Sequence, residues 1–94
     1  MSETIHLMSE KKIYVWHLAQ FLVQHNMRMS GQELAEHLNR NNIVTSYGKP
    51  YTGGRGTYAL IKATYDWTNE KHGKDEAKNV AIAYVNANGQ PAYE

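Results

Sequence analysis

Ser30-Gly31-Gln32-Glu33-Leu34-Ala35-Glu36-His37-Leu38-Asn39 is the stretch that decides how this chain folds. Ser30 offers a short side-chain acceptor three residues ahead of Glu33, the spacing at which each side chain caps the other's backbone N–H and starts a helix. Met29, just before the cap, is placed to staple against Leu34, and Leu34, Ala35 and Leu38 recur at helical spacing as a buried face. The spacing predicts a helix from Ser30 to about Asn41. The run Asn39-Arg40-Asn41-Asn42 marks its exit.

Working toward the N-terminus, Val15, Leu18, Ala19 and Leu22 fall at i, i+3, i+4 and i+7 between Glu10 and His25, with Tyr14, Trp16 and Phe21 widening the stripe. This is a first helix, capped by Ser9 and stopped at Asn26. Toward the C-terminus, Ile43 and Val44 read as an apolar plug or very short strand before the polar loop from Thr45 to Pro50. A third helix is expected to begin between Thr52 and Gly54, because Leu60, Ala63, Thr64 and Trp67 repeat at helical spacing; Gly73 ends it after Lys71 and His72. Beyond it, Val80, Ile82 and Tyr84 alternate with alanines, and Asn88-Gly89 is a strong turn signal, which predicts a β-hairpin over 79–94 with Pro91 on an edge strand.

The resulting order is helix, helix, loop, helix, hairpin. It predicts a mainly α fold with a small β-hairpin, a winged helix-turn-helix of three helices plus a C-terminal wing. The domain would span 9–94, behind a frayed segment 1–8. The loop between the second and third helices is about ten residues, longer than the three or four of a minimal helix-turn-helix.

Composition narrows the functional classes. With 94 residues the chain has room for one core. The absence of cysteine removes disulfides, thiolate metal sites and cysteine nucleophiles together. No apolar run approaches the roughly 18 residues of a membrane span, and the first residues are too polar for a signal peptide, so a cytoplasmic location is the expectation. The net charge of +1 says little, but its distribution says more. No acidic residue lies between Glu36 and Asp66, whereas Arg40, Lys49, Arg55 and Lys62 do.

Ser30 to Asn39, then Ile43, Thr45, Gly48 and the helix from Arg55 to Tyr65, resemble the DNA-binding "recombinase" segment of large serine recombinases. That family's pattern is a short helix ending in Leu-Asn, a loop with isoleucine, threonine and glycine, and a helix that contacts DNA. The likeness covers about a third of the chain. The family's catalytic domain, zinc-binding cysteines and coiled coil have no counterpart here, and Asn42 stands where the family usually has glycine before the isoleucine. The resemblance therefore implies DNA binding and not recombination.

On this reading the partner is duplex DNA, and the protein would be a small transcriptional regulator or an accessory factor of a mobile element such as a prophage. Lys49, Thr52, Arg55, Thr57, Tyr58 and Lys62 are the candidate contacts around the start of the third helix, and Lys74, Lys78 and Asn88 those of the wing. Gly53-Gly54-Arg55-Gly56 either lets backbone amides approach a phosphate or simply provides a flexible entry turn. Tyr58 reads either as core or as contact.

No histidine spacing suits a metal, no carboxylate pair or serine framework suits catalysis, and no cofactor motif is present, so an enzyme is left without residues. A protein-interaction module on the same architecture is the competing expectation, with Trp16, Tyr47, Tyr51 or Tyr93 as anchors. Whether the chain forms a homodimer is open; helix one or the edge of the 79–94 hairpin would supply the contact.

Overall fold

A computed structural model of the chain describes residues 8–45, 47–52 and 55–86. Along the sequence these form α1 (Met8–Gln24), β1 (Met29–Ser30), α2 (Gly31–Arg40), α3 (Arg55–His72), α4 (Lys74–Ala83) and β2 (Tyr84–Val85). Among the described residues the molecule is mainly helical with one small two-stranded sheet. No helix among the described residues is long and apolar enough to cross a membrane.

The capping box is formed as the sequence predicts. The Glu33 amide donates to Ser30 Oγ at 3.1 Å, and the Ser30 amide donates to Glu33 Oε1 at 2.9 Å. Leu34, Ala35 and Leu38 are buried below it.

Both early helices end in the same way, for a reason legible in the residues. Asn26 (φ 57°) and Asn42 (φ 59°) occupy the left-handed region, which asparagine tolerates better than most side chains. Behind Asn26, the Met27 amide reaches the Leu22 carbonyl at 2.7 Å and the Asn26 amide reaches Val23 at 3.1 Å. Behind Asn42, Ile43 reaches Leu38 at 2.9 Å and Asn42 reaches Asn39 at 3.2 Å. These are paired Schellman closures, and the second carries its usual apolar contact, since Ile43 and Leu38 are both fully buried.

The core lies where α1 crosses α3 and α4, with α2 packed on α3. Val15, Ala19 and Leu22 of α1 meet Leu34, Leu38, Ile43, Leu60, Ile61, Val80 and Tyr84 there. Three threonines, Thr57, Thr64 and Thr68, point into the same interior from α3. Their hydroxyls stay satisfied: Thr64 donates to the Leu60 carbonyl at 2.8 Å, Thr68 to Thr64 at 2.7 Å, and Thr57 to the carbonyl of Thr52.

The C-terminal part departs from expectation. Residues 79–83, read as the first arm of a hairpin, belong to a fourth helix. Gly73 (φ 98°) reverses the chain, its amide closing on the Thr68 carbonyl at 3.1 Å, and α4 starts at the next residue. Asp75 and Glu76 then sit in the first turn, where the helix dipole favours negative charge. Ala77, Val80, Ala81 and Tyr84 lie at i, i+3, i+4 and i+7 and are all buried, so the helical period prevails over the shorter alternation of Val80, Ile82 and Tyr84. Alanine's high helix propensity works in the same direction.

The strand that follows α4 pairs parallel with β1, Met29 opposite Tyr84 and Ser30 opposite Val85. Tyr84 is fully buried, and its hydroxyl donates to the Val15 carbonyl at 2.7 Å, tying the end of α4 to the middle of α1. Burial, with the Tyr14 phenol nearby, pushes the Tyr84 phenol well up from its usual range, which keeps it a donor. The predicted Asn88-Gly89 turn, Pro91 and residues 1–7 of the segment expected to fray (1–8) lie outside the described residues, while Met8 and Ser9 belong to α1, so Ser9 lies within the helix and not at its cap.

Candidate nucleic-acid interface and an adjoining cavity

Fourteen residues connect α2 to α3, and side chains from α1, α2 and the connection itself hold its described part in place. Ile43 plugs the core. Asn39 clamps the main chain of Tyr51 at two points, accepting from its amide at 2.7 Å and donating to its carbonyl at 2.8 Å. Lys11, on α1 and wholly shielded from solvent, donates to the Val44 carbonyl at 3.0 Å and to the Tyr51 hydroxyl at 2.9 Å, with its ammonium 5.3 Å from the Tyr51 ring centre. Thr45 Oγ1 accepts from the amides of Tyr47 (3.3 Å) and Lys49 (3.1 Å), and Gly48 (φ 76°) supplies the left-handed backbone that the turn needs.

This framework fixes the start of α3 beside the loop. On the first turns of α3 the outward positions are Gly56, Ala59 and Lys62, all exposed, while Thr57, Leu60 and Ile61 face inward. Lys62 pairs with Asp66 at 3.0 Å, both well exposed. Lys49 and Thr52 are exposed on the loop. Lys49 shares the lining of a cavity of about 510 Å³ with Lys11, Thr45, Tyr47, Pro50, Tyr51, Gly56, Ala59 and Leu60. Tyr47 stands beside it, almost entirely exposed.

The remaining candidates separate from this group. Thr57 is fully buried with its hydroxyl committed to Thr52, so it is a core residue and not a contact. Tyr58 is half-buried against the core. A Cβ added at Gly31 would fall 2.7 Å from its Cζ, so the ring covers the first turn of α2.

Lys74 and Lys78 are exposed on α4, not on a wing, because their segment is helical. Eighteen helical residues span about 27 Å, which sets Lys74 at the far end of α3 from Arg55. The side chain of Arg55, residues 53–54 and Asn88 lie outside the described residues.

Two of the four proposed interface anchors are engaged internally. Trp16 stacks on His72 at 4.0 Å, meets Trp67 edge-on at 5.9 Å and donates to Glu76 at 3.3 Å. Tyr51 is buried, Tyr47 alone of the described set is open, and Tyr93 lies outside the described residues. Sequence reasoning passed over Lys11, and it read Asn39 and Thr45 as parts of a helix exit and a loop without seeing that they hold the connection. Lys11 falls on the same stripe as Val15, Ala19 and Leu22, a signal that a lysine would ordinarily mask.

The chain matches no protein-family model, and neither a curated protein nor a solved structure matches it.

Proposed function

We propose that this protein binds duplex DNA, presenting the loop around Lys49 and the first two turns of α3 to the double helix, as a small regulator or mobile-element accessory factor would. The observation that carries this reading is the composition of the exposed positions around the start of α3. Lys49, Thr52, Gly56, Ala59 and Lys62 are all exposed, and the chain from residue 37 to residue 65 has no carboxylate. Gly56 and Ala59 project almost nothing, so a phosphate or groove wall can approach the helix closely. Arg55 opens the helix, where backbone amides and the dipole favour an anion. Lys62 is paired with Asp66 only at the surface, where such a bond is worth little and exchanges readily for a phosphate.

The test is fluorescence anisotropy with a labelled duplex of unselected sequence at about 50 and about 200 mM salt. Binding near ~10 to 100 μM that weakens steeply with salt is expected from phosphate neutralisation by a few lysines and arginines. No binding at the lower salt overturns the reading.

A further inference from the structure

We propose that the cavity between Thr45, residues 47–51 and the start of α3 is a binding site for a small monocarboxylate with an aromatic or aliphatic body. This proposal stands independently of the DNA-binding reading. Its first support is an imbalance of hydrogen-bond donors and acceptors. Lys11 has three N–H donors and, among the described residues, two acceptors, Val44 O and Tyr51 Oη. The Tyr51 oxygen is taken as an acceptor by Lys11, and its own O–H meets no acceptor among the described residues. Thr45 spends its hydroxyl oxygen as an acceptor for two amides, so its O–H is likewise left to donate.

The second support is charge. Lys11 and Lys49 line the cavity, and none of its lining residues is a carboxylate. Lys11 is shielded from solvent and hydrogen-bonded to Tyr51, so a ligand feels its positive charge across the Tyr51 hydroxyl and meets Lys49 directly at the rim. Among the described residues the Lys11 ammonium has a carbonyl, a hydroxyl and an aromatic ring beside it but no anion, and an anion beside Tyr51 supplies that countercharge.

The walls decide the rest of the ligand. Pro50, Ala59, Leu60 and the Tyr47 ring are apolar surfaces with no further polar group to satisfy, which suits a hydrocarbon or aryl body. A single carboxylate suits this site better than a phosphate, because a doubly charged group costs more to desolvate against such walls. The volume, about 510 Å³, lies within the range of small-molecule sites.

The experiment titrates the full chain, ¹⁵N-labelled, with sodium phenylacetate, and in parallel with phenylacetamide and inorganic phosphate, following backbone amide shifts. Phenylacetate is expected to saturate at a Kd on the order of 1 mM or below, given the affinity that a ligand of about ten heavy atoms can reach. The shifts should centre on Thr45, Lys49, Tyr51, Gly56 and Leu60, with the amide and phosphate each at least about tenfold weaker, as loss of a charge-assisted hydrogen bond predicts. Tyr51→Phe should weaken phenylacetate about tenfold, and Lys49→Ala, an exposed substitution that leaves the fold alone, should weaken it several-fold. Equal binding of acid and amide, no saturable shift at 10-fold above that Kd, or shifts centred elsewhere would overturn the proposal.

Discussion

Lys11 Nζ reaches the Tyr51 hydroxyl at 2.9 Å across forty positions of sequence, joining the first turn of α1 to the segment that leads into α3. Because Lys11 is fully buried, its removal strands two oxygens and opens a cavity at once. Lys11→Ala is expected to destabilise the fold by about 2–4 kcal/mol in urea denaturation. Lys11→Met, which refills the space but donates nothing, should cost about 1–2 kcal/mol. Equal losses for the two variants would mean that volume alone matters there.

A second expectation concerns charge on the proposed DNA face. Replacing Lys49 and Lys62 together with alanine should weaken duplex binding and reduce the salt slope by about 2, near one unit per phosphate contact. Lys74→Ala with Lys78→Ala should leave the slope unchanged, since α4 carries them away from the start of α3. The same anisotropy titrations check both. A slope that responds to the α4 pair and not to the α3 pair would move the interface.

Acidity should loosen the contact between α1 and α2. Tyr14 Oη and His37 Nε2 lie 2.7 Å apart, and a neutral imidazole with Nε2 unprotonated accepts a hydrogen bond from the phenol there. Burial, and then the Arg40 charge, lower the His37 pKa below its usual value, so the folded state disfavours the protonated ring. The unfolded chain therefore binds the extra proton first. His37's contribution is complete above the ordinary histidine range near pH ~6.5 and is lost as the pH falls through that range toward the lower folded value. Thermal unfolding of the parent and of His37→Gln from pH 8 to pH 5 should show the parent losing more stability. Parallel curves would remove His37 from the account.

The C-terminal strand should be a fastener for the whole molecule. Tyr84→Phe removes the hydroxyl from the Val15 carbonyl and is expected to cost about 1–2 kcal/mol. Tyr84→Ala empties a fully buried site and should cost about 3–5 kcal/mol. Urea midpoints report both. A near-neutral Tyr84→Ala would mean that β2 adds little to the core.

At the cap of α2, Ser30→Ala is expected to cost about 1 kcal/mol by losing the acceptor for the Glu33 amide. Gly31→Ala places a methyl against the Tyr58 ring, whose far end must swing outward. A change in Tyr58 exposure with little change in stability is the expected result, read from the NMR resonances of the Tyr58 ring and the urea midpoint. Unchanged Tyr58 exposure would show that the ring does not rest on Gly31.

The sequence by itself determined the elements whose signals are local. Ser30 with Glu33 sets the start of α2, Asn26 and Asn42 set two helix ends through their tolerance of left-handed backbone, and the apolar stripes of α1 and α3 set their lengths. Each depends on residues within a turn or two of one another, so neighbouring residue types suffice to state them. Only the tertiary structure decided the rest. Residues 74–83 satisfy a helical and a partial strand pattern, and packing against α1 and α3 chooses the helix. Thr57 reads as a polar contact until burial among core residues makes it part of the interior, and Lys11 reads as solvated until the α2–α3 connection folds over it. Those outcomes depend on partners tens of residues away, where burial and long-range hydrogen bonds outweigh any local preference.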